Sequence, residues 1–211
     1  MQLLTSPPPS RRDNPFATCW TKPGAVPFRF PEGQTAEQLV AKLAAQNWWG
    51  QIMGAHGSGK TTLLATLIPA LTAVGRQVHE IRLHNRTRNP VSDAKEIRGG
   101  RTLIVVDGFD QLGRFARLLL KRRCRRAGAG LLVTAHVSTG LPALIHLSPE
   151  RRLIEQLVAD LCAQVPSDIT RDDIAASHAS HGSNVREIFF DLYDRHERLR
   201  RVTRTVASEP A

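Results

Sequence analysis

The stretch Gly54-Ala55-His56-Gly57-Ser58-Gly59-Lys60-Thr61 decides how the rest of the chain is read. It fits G-x-x-x-x-G-K-[ST] at every fixed position. A short apolar run, Trp48 to Met53, precedes it, and a helical stripe of Leu63, Leu64, Leu67, Ile68 and Leu71 follows. Strand, glycine-rich turn and helix in that order form a cradle for phosphate. The glycines let the backbone curl so that successive N–H groups converge on phosphate oxygens. The helix that starts near Lys60 adds the positive end of its dipole. In such a cradle Lys60 reaches the β- and γ-phosphates as a point charge, and the Thr61 hydroxyl is a ligand for Mg²⁺. Gly54, Ala55, His56, Gly57, Ser58, Gly59, Lys60, Thr61 and Thr62 are therefore the candidate nucleotide-binding residues.

Downstream, Leu103-Ile104-Val105-Val106 leads into Asp107. An unpaired charge at the end of a buried strand is costly, and a metal ion offsets that cost. Asp107 is thus a candidate Mg²⁺ ligand opposite Thr61. Around these two motifs, strand and helix signals alternate. Strands are predicted at Trp48–Met53, Gln77–Leu83, Thr102–Val106, Gly130–Thr134 and Leu144–Leu147. Helices are predicted at Thr35–Ala45, where Thr35 and Gln38 form a capping-box pair, at Thr61–Val74 and at Leu112–Arg126. Pro69 is expected to kink or shorten the second. In the third, Leu112, Phe115, Leu118 and Leu119 are expected to face inward. Continuous apolar strands separated by helices imply a parallel sheet covered on both faces.

After Ser148 the pattern becomes helical: Pro149–Ala163, Thr170–Ala179 and Ser183–Leu199, the last capped by Ser183. The predicted organisation is a proline-rich tail (1–15), an α/β core (16–147), a helical subdomain (148–200) and a flexible end (201–211). Asn14 to Pro31, with Phe16, Trp20, Phe28 and Phe30 among prolines, is expected to pack across the core. Residues 85–101 are expected to be mostly loop.

Composition narrows the classes. Of the 211 residues, 41% are hydrophobic and 23% charged, which excludes a disordered chain. No apolar run approaches the roughly 20 residues of a membrane span, and the N-terminus lacks the apolar stretch of a secretory signal. Cys19, Cys124 and Cys162 are too few and too far apart for a disulfide framework or a zinc site. A cytoplasmic protein without membrane association is expected. The net charge of +10 favours polyanionic partners. Two basic runs, Lys121 to Arg126 and Arg195 to Arg204, are either solvated faces or sequence-independent contacts to nucleic acid.

The order of P-loop, extra strand, Walker B strand and two further strands resembles the additional-strand class of P-loop ATPases, which includes the AAA+ and STAND families. The resemblance runs from about residue 47 to 199. It implies a five-stranded parallel sheet in the order 5-1-4-3-2 with a small C-terminal helical lid, and a Mg²⁺-dependent ATPase. Asp107-Gly108-Phe109-Asp110-Gln111-Leu112 resembles the Walker B segment of the NACHT group of STAND proteins. It keeps Asp110 but has Gln111 where an acid is common, and lacks the Glu directly after Asp107 that AAA+ proteins use. Asp110 is then the candidate general base and Gln111 a candidate water-orienting group.

Leu131 to His136 resembles the sensor 1 strand, which makes Thr134 the candidate residue near the γ-phosphate, with His136 behind it. Gly182 to Glu187 resembles the start of the lid helix that carries sensor 2, which makes Arg186 its candidate. By the same resemblance Trp20, Pro27 or Phe28 would line the adenine pocket. No arginine lies between Val137 and Leu144, where an AAA+ arginine finger is expected.

Three functions follow as expectations. The first is a slow ATPase acting as a nucleotide-driven switch or motor, with a protein partner encoded elsewhere. The second is a small-molecule kinase on the same P-loop. The third is a DNA-associated ATPase.

Overall fold

The computed structural model describes residues 14–21, 26–31, 33–83, 99–165 and 167–206, with backbone only over 202–206. The predicted loop at 85–101 and the predicted N-terminal tail lie largely outside these residues, whereas the end predicted to be flexible from 201 is helical as far as Val206. The chain divides into two compact units: Pro27–Ser148, and Met1–Val26 with Pro149–Ala211.

The first unit is built on strands β1 (Trp49–Gly54), β2 (Gln77–Arg82), β3 (Thr102–Asp107), β4 (Gly130–Ala135) and β5 (Ala143–Leu147). They pair in parallel in the order β2-β3-β4-β1-β5, which is the order 5-1-4-3-2 read from the other edge. Every residue of β3 and β4 is buried. Alternate side chains serve opposite faces. Leu103, Val105 and Leu132 join Leu43, Leu63, Leu67 and Leu71 on one side, where helices α1 (Ala36–Ala45) and α2 (Lys60–Ala73) pack. Ile104, Val106, Leu131 and Val133 join Phe109, Leu120 and Cys124 on the other, beneath α3 (Arg114–Arg126). A strand covered on both faces has no polar side to show, so these read as unbroken apolar runs. Burial also raises the Cys124 thiol pKa to about 11, which leaves it inert.

Two helices depart from expectation. Thr35 and Gln38 cap α1 reciprocally, as predicted, but α2 is not shortened by Pro69. It runs to Ala73 with Pro69 inside it. The proline ring lies on the exposed side, while Leu67 and Leu71 are buried on either side of it. Their packing outweighs the single lost hydrogen bond. In α3 the predicted inward face is wrong. Leu112 is buried but precedes the helix, and Phe115, Leu118 and Leu119 are 90%, 53% and 45% exposed.

Leu120 and Cys124 face the sheet instead. Basic side chains set this rotation. Arg117 donates from Nε to Leu112 O (2.8 Å) and from Nη2 to Asp110 O (2.6 Å). Lys121 donates to Thr139 O at 2.6 Å, and both cations lie over the Phe109 ring. Their stems cover apolar surface that leucines were expected to cover.

Strand β4 begins against the residue preceding β1. A Cβ at Gly130 would lie 2.6 Å from Trp48 Cβ, 2.7 Å from Trp48 O and 2.8 Å from Leu103 Cδ1. Two of these neighbours, the Trp48 Cβ and carbonyl oxygen, are fixed by the main chain, and the Leu103 methyl is fully buried. Gly130→Ala is expected to cost about 1–3 kcal/mol of stability through overpacking. A lowered denaturant midpoint at unchanged m-value is the expected reading; an unchanged midpoint contradicts the packing described.

The second unit holds α4 (Arg151–Gln164), α5 (Arg171–His181) and α6 (Val185–Val206). Ile154, Leu157, Val158, Leu161, Ile174, Ile188, Phe189 and Leu192 form its core together with Phe16. The N-terminal segment therefore divides. Phe16 and Trp20 pack with these helices, whereas Phe28 and Phe30 pack with the sheet unit. The cap of α6 is Asn184, not Ser183: Asn184 Oδ1 accepts from Glu187 N–H at 3.3 Å. Gly182 closes α5 and the helix restarts only at Val185, so Ser183 stands one residue too early.

Thr170 and Asp173 cap α5 reciprocally, and Arg195 on α6 pairs with Asp173 at 3.1 Å. Burial alone would raise the Asp173 pKa. The Thr170 backbone and hydroxyl, with Arg195, outweigh it and hold it below the ordinary aspartate value. A lowered folded-state pKa gives stability present above the unfolded value of about 3.9 and lost as pH falls through the folded one. Asp173→Asn is expected to flatten the acid side of the stability curve below about pH 4. Thermal melts across that window test this; an unaltered acid slope contradicts it.

Candidate functional site

The carboxyl ends of β1, β4 and β3 are neighbours in the sheet, the place where open α/β sheets present ligand sites. At the end of β1 the backbone turns through Gly57 (φ 70°) and Gly59 (φ 93°) into α2. Gly59 is the N-cap and no side chain caps the helix. A helix start of this kind points its first N–H groups and the positive end of its dipole at an anion. Ser58 is buried within the loop, and its hydroxyl has no hydrogen-bond partner among the described residues. The Phe28 ring stands beside the loop, 3.7 Å from where a Gly59 Cβ would be. Of the three predicted adenine-pocket residues, Phe28 and Pro27 belong to this unit and Trp20 to the other.

Lys60 Nζ donates to Gly54 O at 2.8 Å and Ala55 O at 2.7 Å. Thr61 and Asp107, 46 residues apart, meet directly: the Thr61 hydroxyl donates to Asp107 Oδ2 at 2.8 Å. The other oxygen, Oδ1, accepts from the Thr134 hydroxyl at 2.6 Å, and Thr134 Oγ1 accepts from Gly108 N–H at 2.8 Å. Thr134 is fully buried. Its hydroxyl is engaged with the Asp107 carboxylate, and the sequence had no means to show that choice. Asp107 is buried, and its carboxylate has two hydroxyl donors holding it in place.

This donor set suits Mg²⁺. A hydroxyl and a carboxylate are hard oxygen ligands, and Mg²⁺ is held by one or two protein oxygens plus substrate phosphates and water. Among the described residues there is no cluster of three or more His, Cys, Asp and Glu side chains placed for a metal. Thr61 and Asp107 would hold the ion, which would neutralise phosphate charge there.

Asp110 lies on a short 3-10 turn, Phe109–Gln111, that starts from Gly108 at φ 84°. Gln111 folds back over that glycine, where a Cβ would come within 2.5 Å of Gln111 Nε2. Asp110 Oδ2 is 3.5 Å from His136 Nε2, while Oδ1 is buried without a hydrogen-bond partner among the described residues. On the other edge of its ring, His136 Nδ1 is 3.3 Å from Lys60 Nζ and 3.1 Å from Gly54 O. The His56 ring packs on it with centroids 3.6 Å apart. His136, expected only behind Thr134, thus touches both Lys60 and Asp110.

Gln51 was not a sequence candidate at all. Its Nε2 donates to Leu141 O (2.7 Å) and Ser138 Oγ (3.3 Å), and its Oε1 accepts from both N–H and hydroxyl of Thr139 (2.8 Å each). That network fixes the turn after β4. Arg186 is exposed on α6 in the helical unit.

No protein-family model matches the sequence, and a search of curated proteins finds no match. Solved structures do match. AMPPCP-bound DnaA from Aquifex aeolicus aligns with a TM-score of 0.50 at 16% identity, over 76% of this chain and 60% of that one. A DNA replication initiation factor aligns with a TM-score of 0.51 at 15% identity, with the same coverage. The fold is that of the AAA+ P-loop NTPases. This chain spans 60% of the length of both structures, and at such identity the likeness concerns the fold alone. It agrees with the AAA+ part of the resemblance. The NACHT-like reading of Asp107 to Leu112 rests on sequence.

Proposed function

We propose that the chain binds ATP with Mg²⁺ at the Gly54–Thr62 loop and hydrolyses it slowly, as a nucleotide-driven switch. The observation that carries this reading is the 2.8 Å contact between Thr61 and Asp107. It brings two oxygen ligands together beside a helix start with no side-chain cap. Phosphoryl transfer needs mainly positioning and charge neutralisation. Lys60 and the α2 N-terminus supply charge, Thr134 braces Asp107, and Phe28 offers a ring to the base. Asp110 serves as general base, with Gln111 orienting water. The AMPPCP bound by a protein of like fold supports the choice of a nucleoside triphosphate. The DGFD segment supports a NACHT-like arrangement of the acids.

Incubation with γ-labelled ATP tests the reading. Label released as inorganic phosphate, dependent on Mg²⁺, is the expected result. Label transferred to an added acceptor would make the chain a kinase, and label left on the nucleotide would remove hydrolysis from the proposal.

A further inference from the structure

We propose that His136 is a positioning residue that joins Lys60 to Asp110 and aims the Asp110 carboxylate at the attacking water. This rests on the reading of Asp110 as the general base. His136 sits one residue beyond β4 and bridges groups from two other segments: Lys60 on Nδ1 at 3.3 Å and Asp110 on Nε2 at 3.5 Å. An ammonium has donors only. Nδ1 also lies 3.1 Å from Gly54 O, but that carbonyl already accepts from Lys60 Nζ at 2.8 Å; with Nδ1 offering its lone pair to Lys60, the imidazole proton falls on Nε2. That N–H faces the carboxylate. The opposite tautomer would set the Nε2 lone pair against Asp110 Oδ2 and a second N–H against the ammonium. Packing of the His56 ring on His136 fixes the ring plane.

The consequence falls on Asp110. With Oδ2 directed to His136, Oδ1 is the oxygen left to accept, and it is buried with no hydrogen-bond partner among the described residues. A buried carboxylate oxygen without a donor is costly, and a water proton relieves that cost. In the hydrolysis, the water oxygen bonds to the γ-phosphorus while the bond to the β–γ bridging oxygen breaks. Its electron pair leaves on the nucleoside diphosphate, and the water proton passes to Asp110. Because the same imidazole touches Lys60, the phosphate charge that engages Lys60 acts on Asp110 through one ring.

Two measurements on the full chain test this. In the first, kcat and KM for ATP are compared for the parent, His136→Ala, His136→Gln, Asp110→Asn and the His136→Ala/Asp110→Asn double variant. His136→Ala is expected to lower kcat about 10- to 100-fold, the range for groups that orient another residue, with KM little changed. His136→Gln carries an acceptor and a donor and should recover part of the loss. The double variant should be no slower than Asp110→Asn alone. Parental kcat in His136→Ala, or losses that multiply in the double variant, would overturn the proposal.

The second measurement does not depend on turnover. Nitrogen-15 shifts of the His136 ring should show the proton on Nε2, with the Nδ1 signal moving in Lys60→Ala and the Nε2 signal moving in Asp110→Asn. A proton on Nδ1 would overturn the link even in an active enzyme. A parent that releases no phosphate yet shows the expected ring shifts would instead remove the ATPase reading and keep the contact.

Discussion

Asp110→Asn is expected to keep ATP binding and lose turnover by about 10²- to 10⁴-fold, the usual contribution of a positioned general base. The substitution preserves shape and one acceptor oxygen but removes the ability to take a proton. Its backbone role survives, because Arg117 holds Asp110 through the main-chain carbonyl. Asp107→Asn should behave differently. Asp107 accepts from the Thr61 and Thr134 hydroxyls, so its loss should remove the Mg²⁺ dependence of nucleotide affinity. Phosphate release at saturating ATP, with nucleotide affinity measured in parallel, separates the two. An Asp110→Asn protein turning over at the parental rate would place the base elsewhere.

Lys60→Ala is expected to weaken ATP binding by about 2–3 kcal/mol, or about 30- to 150-fold, the scale of hydrogen bonds to charged groups. Lys60 is the cation tied to the phosphate loop itself, through Gly54 O and Ala55 O. Its removal takes away a partner for the β- and γ-phosphates and a restraint on the loop. Titration with a fluorescent ATP analogue gives the affinity, and a thermal melt shows that the variant is folded. Parental affinity in a folded variant would mean that nucleotide does not reach this loop.

What could be read in advance divides along a physical line. Strands β3 and β4 were legible because buried parallel strands need unbroken apolar runs. Strand β2 showed as an alternating run, the strand order followed from the resemblance to the additional-strand ATPases, and Gly54 to Thr61 encodes its geometry locally. The Thr35–Gln38 cap was legible for the same reason: donor and acceptor lie within one turn. The rotation of α3 was not, since it depends on Arg117 and Lys121 reaching carbonyls at Asp110, Leu112 and Thr139. Periodicity alone favoured Phe115 and two leucines. The unbroken course of α2 through Pro69 reflects packing of Leu67 and Leu71, which propensity does not see. His136 carries no local mark, because its partners Lys60 and Asp110 lie 76 and 26 positions away and meet it only at the sheet's carboxyl edge.

The central claim is that Mg²⁺ and ATP bind together at the Lys60, Thr61 and Asp107 cluster. Calorimetric titration of ATP into the parent protein, once with Mg²⁺ and once with a chelator, tests it most directly. The predicted result is saturable binding at one site per chain that weakens markedly when Mg²⁺ is removed. A folded protein that gives no saturable binding, or binds equally well with and without the metal, would contradict it.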